Sequence, residues 1–149
     1  MGHTYSSLFY HFVWSTKDRA PIIKEYFQQR LYLYMGGIIR NENANLLSIG
    51  GMSDHVLLLI KTGTNHKIGS LIQKIKGSSS TFINQKYPSE KFAWQSGYGV
   101  FAASVSTLKI VHNYISNQEI HHKKISFEEE FRLLLDKHEI EYNKDFLFQ

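Results

Sequence analysis

The sequence contains no cysteine, only two prolines and no long apolar run. Without cysteine the chain cannot form a disulfide, use a catalytic thiolate or build a Cys-type zinc site. No apolar run approaches the roughly 20 residues that a membrane-spanning helix needs. The first residues show no charged region followed by an apolar segment, so we expect no secretory signal and a cytoplasmic location.

The 149 residues are enough for one domain with a substantial core, and their 42% hydrophobic and 14% aromatic content is typical of a globular protein. The net charge of +4 is a mild basic excess, which is compatible with a nucleic acid partner. No repeat, low-complexity segment or linker divides the chain, so we expect a single domain over residues 1–149. The chain also lacks a Walker loop, a nucleophile-elbow serine and a Cys/His zinc set.

Hydrophobic patterning predicts strands alternating with helices. The predicted strands cover 6–16, 46–51, 55–61 and 92–104, and the predicted helices cover 22–40, 67–87, 107–120 and 127–138. Ser126 and Glu129 form a capping box that would begin the last helix.

The order strand, helix, strand, strand, helix, strand is that of the ferredoxin-like, or split βαβ, fold. We therefore expect an α+β fold with an antiparallel sheet, the first and third strands in its centre, helices on one face and further C-terminal helices. The other face of the sheet is then expected to be open to a ligand or a second subunit.

The third predicted strand, in "SDHVLLLIK", is strongly apolar but begins with a histidine. Side chains alternate along a strand, so His55, Leu57 and Leu59 share one face. If that face is open, His55 is a candidate ligand for a metal ion. The simpler interpretation is a strand-end histidine that is hydrogen bonded to a neighbour.

Tyr114 and Gln118 are four residues apart in the third predicted helix, so they share one side of it. A tyrosine hydroxyl can act as a nucleophile, and a glutamine carbonyl can bind a hard cation. The pair could therefore place a nucleophile beside a metal ion. The simpler interpretation is that Tyr114 packs beside Ile110 and Val111 while Gln118 lies on the surface.

Basic residues suggest a phosphate-binding surface. Lys74 and Lys76 lie in "LIQKIKGSSS" and could contact DNA phosphates, and Arg19 could extend that surface. A solvated helix face is the alternative. Several other histidines lie in polar surroundings and are predicted to be solvated, namely His3, His66, His121, His122 and His138.

Four segments together resemble one family. They are "YHFVWSTKDR", "GGMSDHVLLLI", "IKGSSS" followed by "WQSGYGVFAAS", and "YISNQEIHHKKISFEEEF". The chain resembles the HUH-class single-tyrosine transposases of bacterial insertion sequences, including relatives associated with repeated extragenic palindromes. The resemblance implies a ferredoxin-like homodimer in the bacterial cytoplasm. Such a protein would bind DNA hairpins and would nick and rejoin single-stranded DNA through a 5′-phosphotyrosine.

The resemblance also implies roles for individual residues. The family carries His-hydrophobic-His on the third strand, and both histidines bind Mg²⁺ or Mn²⁺. His55 matches the first histidine, but Leu57 stands where the second should be. Tyr114 matches the nucleophile and Gln118 matches the glutamine that completes the metal site, while His11 on the first strand is a possible substitute ligand.

Leu57 therefore predicts a weakened metal site and an impaired nuclease. The alternative is a catalytically degraded relative that binds DNA hairpins without cleaving them. A third interpretation, outside nucleic acid binding, is a ferredoxin-like protein that binds a small molecule.

Overall fold

The computed structural model describes residues 2–149 and contains four strands and five α-helices there. The strands are β1 (Leu8–Ser15), β2 (Asn45–Met52), β3 (His55–Thr62) and β4 (Gly99–Ala103). The helices are α1 (Glu25–Asn41), α2 (Ile68–Lys86), α3 (Leu108–Ser116), α4 (Gln118–His121) and α5 (Phe127–Lys137). None of the helices among these residues is long and apolar enough to cross a bilayer.

The strands form one antiparallel sheet in the order β2-β3-β1-β4. The prediction of an α+β, ferredoxin-like sheet with the first and third strands in its centre is confirmed. Val13 of β1 lies opposite Leu57 of β3, and Ser15 lies opposite His55. This register sets His55 at one end of the two central strands.

One face of the sheet is covered by α1 and α2. Phe12 and Trp14 of β1 and Val56 and Leu58 of β3 point to this side and are fully buried. The helices contribute buried apolar residues to the same core, among them Phe27, Leu31, Met35, Ile39, Leu71, Ile72, Ile75 and Ile83. The alternation of side chains along each strand leaves the remaining residues of β1 and β3 on the opposite face.

The opposite face is covered by the C-terminal helices. Val13, Leu57 and Leu59 are buried there in a second apolar cluster, which includes Ile115 of α3 and Phe127, Phe131 and Leu135 of α5. The expectation of an open second face is therefore wrong within this chain. The physical reason is that β1 and β3 carry apolar side chains on both faces, so each face needs a cover to exclude water.

The predicted fourth strand is shorter than expected, because residues 92–98 do not form a regular strand. Side chains occupy the backbone groups that a continuous ladder would use. The side-chain oxygen of Gln95 accepts from the backbone N–H of Ser15 at 2.7 Å. The Lys76 ammonium donates to the carbonyl oxygens of Ser96 and Gly97 at 3.1 and 2.8 Å. Only Gly99–Ala103 pair with β1 as a strand.

The position of α3 depends on a close approach at Gly50 in β2. A Cβ atom added at Gly50 would overlap the carbonyl oxygen of Ile115 and would lie 3.0 Å from the Cγ2 atom of that residue. A residue without a side chain therefore allows the helix to lie directly on the strand. The predicted third helix is divided after Ser116, since Asn117 leaves helical geometry with φ −101° and ψ 22°.

We expect Gly50→Ala to destabilise the fold, because the added methyl group forces α3 away from β2. Overpacking of this kind costs about 1–3 kcal/mol, and urea unfolding measures it. Gly77→Ala is the matched control, since a Cβ atom at Gly77, in α2, meets nothing within 4 Å. In an exposed helix interior that change should stabilise by about 0.5–1 kcal/mol. Equal unfolding free energies for the two variants would contradict the close approach.

Candidate active site

His55 is the first residue of β3 and is fully buried. Its ring contacts an acidic, an aromatic and an amide side chain, those of Asp54, Phe127 and Gln118. Its Nδ1 atom lies 2.7 Å from Asp54 Oδ1, and its ring stacks on that of Phe127 with centroids 4.1 Å apart. Its Nε2 atom lies 2.8 Å from Gln118 Oε1. A neutral imidazole carries one N–H, and the Asp54 carboxylate is the stronger acceptor, so Nδ1–H donates to Asp54. The Nε2 lone pair then faces Gln118.

Asp54 directly precedes β3 and contacts the first residue of that strand, His55. Burial alone would raise the pKa of the Asp54 carboxyl, but its hydrogen bond to His55 outweighs burial and lowers that pKa. Asp54 is therefore ionised at neutral pH and orients the His55 ring. Carboxylates that orient metal-binding histidines act in the same way.

Tyr114 and Gln118 approach His55 from α3 and α4. Gln118 is only 2% exposed, so the interpretation of Gln118 as a surface residue is wrong. Its Nε2 atom donates to Glu130 Oε2 at 3.2 Å, and the Tyr114 hydroxyl donates to the same oxygen. The proximity expected for His55 and Gln118 is met within a single chain, without a second subunit.

The Tyr114 hydroxyl is held in its neutral form. Burial raises the pKa of Tyr114, and the negative charge and the accepting oxygen of Glu130 raise it further. A buried tyrosine beside a carboxylate is thus protonated at neutral pH. If it acts as a nucleophile, its proton must leave during the attack, and Glu130 and His121 Nε2, at 3.3 Å, are the nearest groups that can accept it.

Glu130, which no sequence motif singled out, lies at the centre of the site and is 1% exposed. Its Oε2 atom lies 3.0 Å from His122 Nε2 and 3.1 Å from His121 Nε2. The expectation that these histidines are solvated is therefore wrong. A usable signal was the position of Glu130 between Phe127 and Phe131, which places it toward the buried side of an amphipathic helix.

His66 is also not simply solvated. Its Nδ1 atom accepts from the backbone N–H of Gly63 at 2.8 Å, and its Nε2 atom donates to the carbonyl oxygen of Glu42 at 2.7 Å. The ring therefore closes the loop after β3 onto the end of α1. This contact is structural and lies away from Tyr114.

Three side chains form a group that could hold a metal ion. Ligand atoms of His55, His122 and Glu130 all lie within 4.8 Å of one another. Gln118 Oε1 lies 2.8 Å from His55 Nε2 and 3.0 Å from His122 Nε2, so it adjoins this group.

Leu57 and His11 do not enter this group. Leu57 is fully buried in the second apolar cluster, opposite Val13. His11 lies opposite Leu59, four residues along β1 from the partner of His55, which is about 13 Å of strand. Burial lowers the pKa of His11 to about 4, so its ring is neutral. The structure does not bring His11 to His55, and its role as a substitute ligand stays a prediction.

The lysines considered for phosphate binding lie on α2, which packs on the other face of the sheet from Tyr114. Lys74 is exposed and forms an ion pair with Glu42 at 2.9 Å. Lys76 is largely buried, its ammonium is bonded to two carbonyl groups, and burial lowers its pKa to about 8. The predicted contact of these lysines with DNA stays a prediction.

Arg19 lies nearer to the site. Its guanidinium pairs with Glu128 of α5 at 3.2 Å and lies over the ring of Phe148, 4.4 Å from its centroid. Both Glu128 and Arg19 remain 40% exposed, so the pair is accessible to solvent. Arg19 is thus a solvent-accessible cation on the side of α5 near Phe127, and its contact with DNA also stays a prediction.

This arrangement can be compared with known proteins. A transposase from Deinococcus radiodurans, ISDra2 transposase TnpA, is 24% identical over 123 residues, which are 78% of this chain and 87% of that protein. A crystal structure of a Deinococcus radiodurans transposase matches with a TM-score of 0.65 and 26% identity, and covers 79% of this chain and 96% of its own.

A second structure shows the same fold at lower identity. It is the REP-associated tyrosine transposase bound to a REP hairpin, with a TM-score of 0.63 and 13% identity. It covers 84% of this chain and 74% of its own.

The family relationship follows from the match to a family model. The sequence model described as "Transposase IS200 like" matches residues 4–118, which is well over half of the chain. That segment includes His55, Tyr114 and Gln118, whereas His122 and Glu130 follow it. The chain belongs to the IS200-like transposase family.

Proposed function

We propose that this protein nicks and rejoins single-stranded DNA through a covalent 5′-phosphotyrosine at Tyr114. The observation that carries the proposal is the convergence of Tyr114, Gln118 and His55 from three separate elements on the buried carboxylate of Glu130. Membership of the IS200-like transposase family supports the same chemistry. The arrangement does not resemble a closed apolar pocket for a small molecule.

The proposed reaction consists of two transesterifications. The Tyr114 oxygen attacks the phosphorus of a phosphodiester, the bond to the 3′ oxygen breaks, and one strand leaves with a 3′-hydroxyl. Tyr114 is then joined to the 5′ phosphate of the other strand. A 3′-hydroxyl from another DNA end attacks this linkage and releases Tyr114. Because the phosphotyrosine retains the bond energy, no nucleotide cofactor is needed.

Glu130 is the proposed acceptor for the proton of Tyr114. Its Oε2 atom already accepts a hydrogen bond from the hydroxyl, so the proton moves along an existing contact as the O–P bond forms. The departing 3′ oxygen takes its proton from solvent. In the rejoining step the attacking 3′-hydroxyl gives up a proton to solvent, while the same carboxyl returns its proton to Tyr114. Phe127 packs against this side of the site, where its ring stacks on that of His55.

The donor set fits the divalent cation that the family requires. His55 Nε2 and Gln118 Oε1 are 2.8 Å apart, and an imidazole with an amide oxygen suits Mg²⁺ or Mn²⁺. We propose that these two residues hold it, and Asp54 keeps the His55 ring oriented. When bound, Mg²⁺ or Mn²⁺ would polarise the phosphodiester and stabilise negative charge on the departing 3′ oxygen.

The proposed partner is single-stranded DNA that carries a hairpin. A neighbour of the same fold was solved with a REP hairpin, and the net charge of +4 favours an anionic ligand. Arg19 and Lys74 are the accessible cations among the predicted contacts, while the Lys76 ammonium is already bonded. We also propose a homodimer, as implied by the family resemblance, although one chain already brings Tyr114 and His55 to the same carboxylate, that of Glu130.

The second candidate function is hairpin binding without cleavage. It is favoured by Leu57, which is buried in apolar surroundings where the family pattern has a second metal-binding histidine. The two functions differ in one observable, since only the enzyme forms a covalent bond with DNA.

We expect Tyr114→Phe to abolish covalent attachment to DNA and to leave hairpin binding intact, because it removes the attacking oxygen alone. Protein with Mn²⁺ is mixed with single-stranded DNA carrying the ends of its own locus and run on a denaturing gel. Tyr142→Phe is the control, since that hydroxyl bonds to Arg132 outside the site. An adduct that persists in Tyr114→Phe would point to another nucleophile. Hairpin binding by the unaltered protein without any adduct would support the second function.

We expect Asp54→Asn to reduce nicking by about 10–100-fold, the usual cost of losing a group that orients a metal-binding histidine. Hairpin affinity in a native gel should not change. Asp136→Asn removes the same charge from an exposed position of α5 and should leave the rate unaltered. Equal rates for the two variants would show that Asp54 does not orient His55 for the reaction.

A further inference from the structure

Glu130 is a buried acidic residue on a helix whose neighbouring glutamates are not buried. Glu129 is exposed and Glu128 is partly exposed, whereas Glu130 is 1% exposed. Removing a carboxylate from water costs several kcal/mol unless partners replace the water. The position of Glu130 therefore needs a physical explanation.

The two oxygens of Glu130 have different surroundings. Oε2 receives the Tyr114 hydroxyl and the Gln118 amide, and His122 Nε2 lies 3.0 Å away. Oε1 is fully buried and has no hydrogen-bond partner among residues 2–149. It lies 3.7 Å from His55 Nε2, which is too far for a hydrogen bond. A buried carboxylate oxygen without a donor needs a partner, and its distance of 3.7 Å from an imidazole nitrogen leaves room for a cation between the two.

The atoms around this point make a ligand set for a hard cation. His55, His122 and Glu130 offer atoms that all lie within 4.8 Å of one another, and Gln118 Oε1 is adjacent. For ligands at about 2.1 Å from an ion, neighbouring donors are about 3 Å apart and opposite donors about 4.2 Å apart. Small side-chain movements are enough to reach those distances. The carboxylate and amide oxygens suit Mn²⁺, and the two imidazoles are ligands typical of first-row divalent metals, so the mixed set fits Mn²⁺.

Packing holds the Glu130 carboxylate at this position. Ser126 caps the start of α5 by accepting from the N–H of Glu129. Phe127 and Phe131, on either side of Glu130 on the same side of the helix, are anchored in the second apolar cluster, and Phe127 stacks on His55. The carboxylate is thus presented to His55 by a fixed helix rather than by a mobile loop.

We propose that Glu130 and His122 provide the metal ligands that position 57 lacks, so that His55, Gln118, His122 and Glu130 bind the divalent cation. A second histidine on β3 is then not needed, because Glu130 on α5 and His122 in the turn before it supply the missing ligand atoms beside His55. The inference rests on the site of the proposed function, but metal binding can be measured without DNA and without nicking.

The first test is a titration of the full chain with Mn²⁺ alone, with free Mn²⁺ followed by electron paramagnetic resonance. Glu130→Gln should weaken binding by at least about 10-fold. Glu129→Gln makes the same charge change on the exposed side of α5 and should bind as the unaltered protein does. Equal affinity of Glu130→Gln and the unaltered protein would overturn the proposal, as would the absence of Mn²⁺ binding by the unaltered protein at millimolar concentration.

The second test does not depend on whether Glu130→Gln folds. Electron spin-echo modulation of bound Mn²⁺ should detect nitrogen from two imidazoles in the unaltered protein and from one in His122→Gln. A single imidazole in the unaltered protein would overturn the role of His122. Far-UV circular dichroism checks the fold of each variant. In a folded Glu130→Gln background, Leu57→His should restore Mn²⁺ affinity, because it places a donor at the position that the family pattern uses.

The outcomes separate this inference from the proposed function. Mn²⁺ binding that depends on Glu130, together with no covalent DNA adduct at Tyr114, would support the metal site and reject the nicking reaction. A covalent adduct at Tyr114, together with a Mn²⁺ affinity that Glu130→Gln leaves unchanged, would support the nicking reaction and reject the proposed metal site.

Discussion

The burial of one carboxylate, that of Glu130, governs the arrangement of the C-terminal helices. A charge removed from water requires donors, and here they come from Tyr114 on α3 and Gln118 on α4, while His122 Nε2, just after α4, lies 3.0 Å away. The carboxylate therefore joins three helical segments at one point above β3. The same contacts bring a hydroxyl, an amide and an imidazole to His55. The contacts that set the geometry of the candidate site therefore also join the helices that cover the second face of the sheet.

Apolar packing makes this polar centre possible. The central strands are apolar on both faces, and the C-terminal helices bury the second face with Phe127, Phe131 and Ile115. Close packing of α3 on Gly50 keeps water out and lowers the local dielectric constant, which strengthens each hydrogen bond. It also raises the pKa of Tyr114 beside the Glu130 charge. The site is therefore a buried polar cluster at the edge of the second apolar cluster, not a surface patch.

Much of the fold could be predicted from periodicity. The order of the elements, the central position of β1 and β3 and the common face of His55 and Leu57 all follow from local pattern. The errors arose where distant side chains compete with local preference. Residues 92–98 have strand-like composition, but Gln95 and Lys76 take up backbone groups of this region. His121 and His122, at the end of α4, lie in a polar segment, yet a carboxylate eight residues after His122 removes that side chain from solvent.

The sequence by itself determined the family pattern, the position of His55 at the start of an apolar strand, and the presence of leucine at position 57. Those features lie within single segments, so local spacing is enough to find them. Only the tertiary structure decided which of three consecutive glutamates reaches the site. Residues 55, 118 and 130 belong to different elements, and the packing of Phe127 and Phe131 on the sheet sets the rotation of α5. That rotation turns Glu130 toward His55 and leaves Glu129 in solvent.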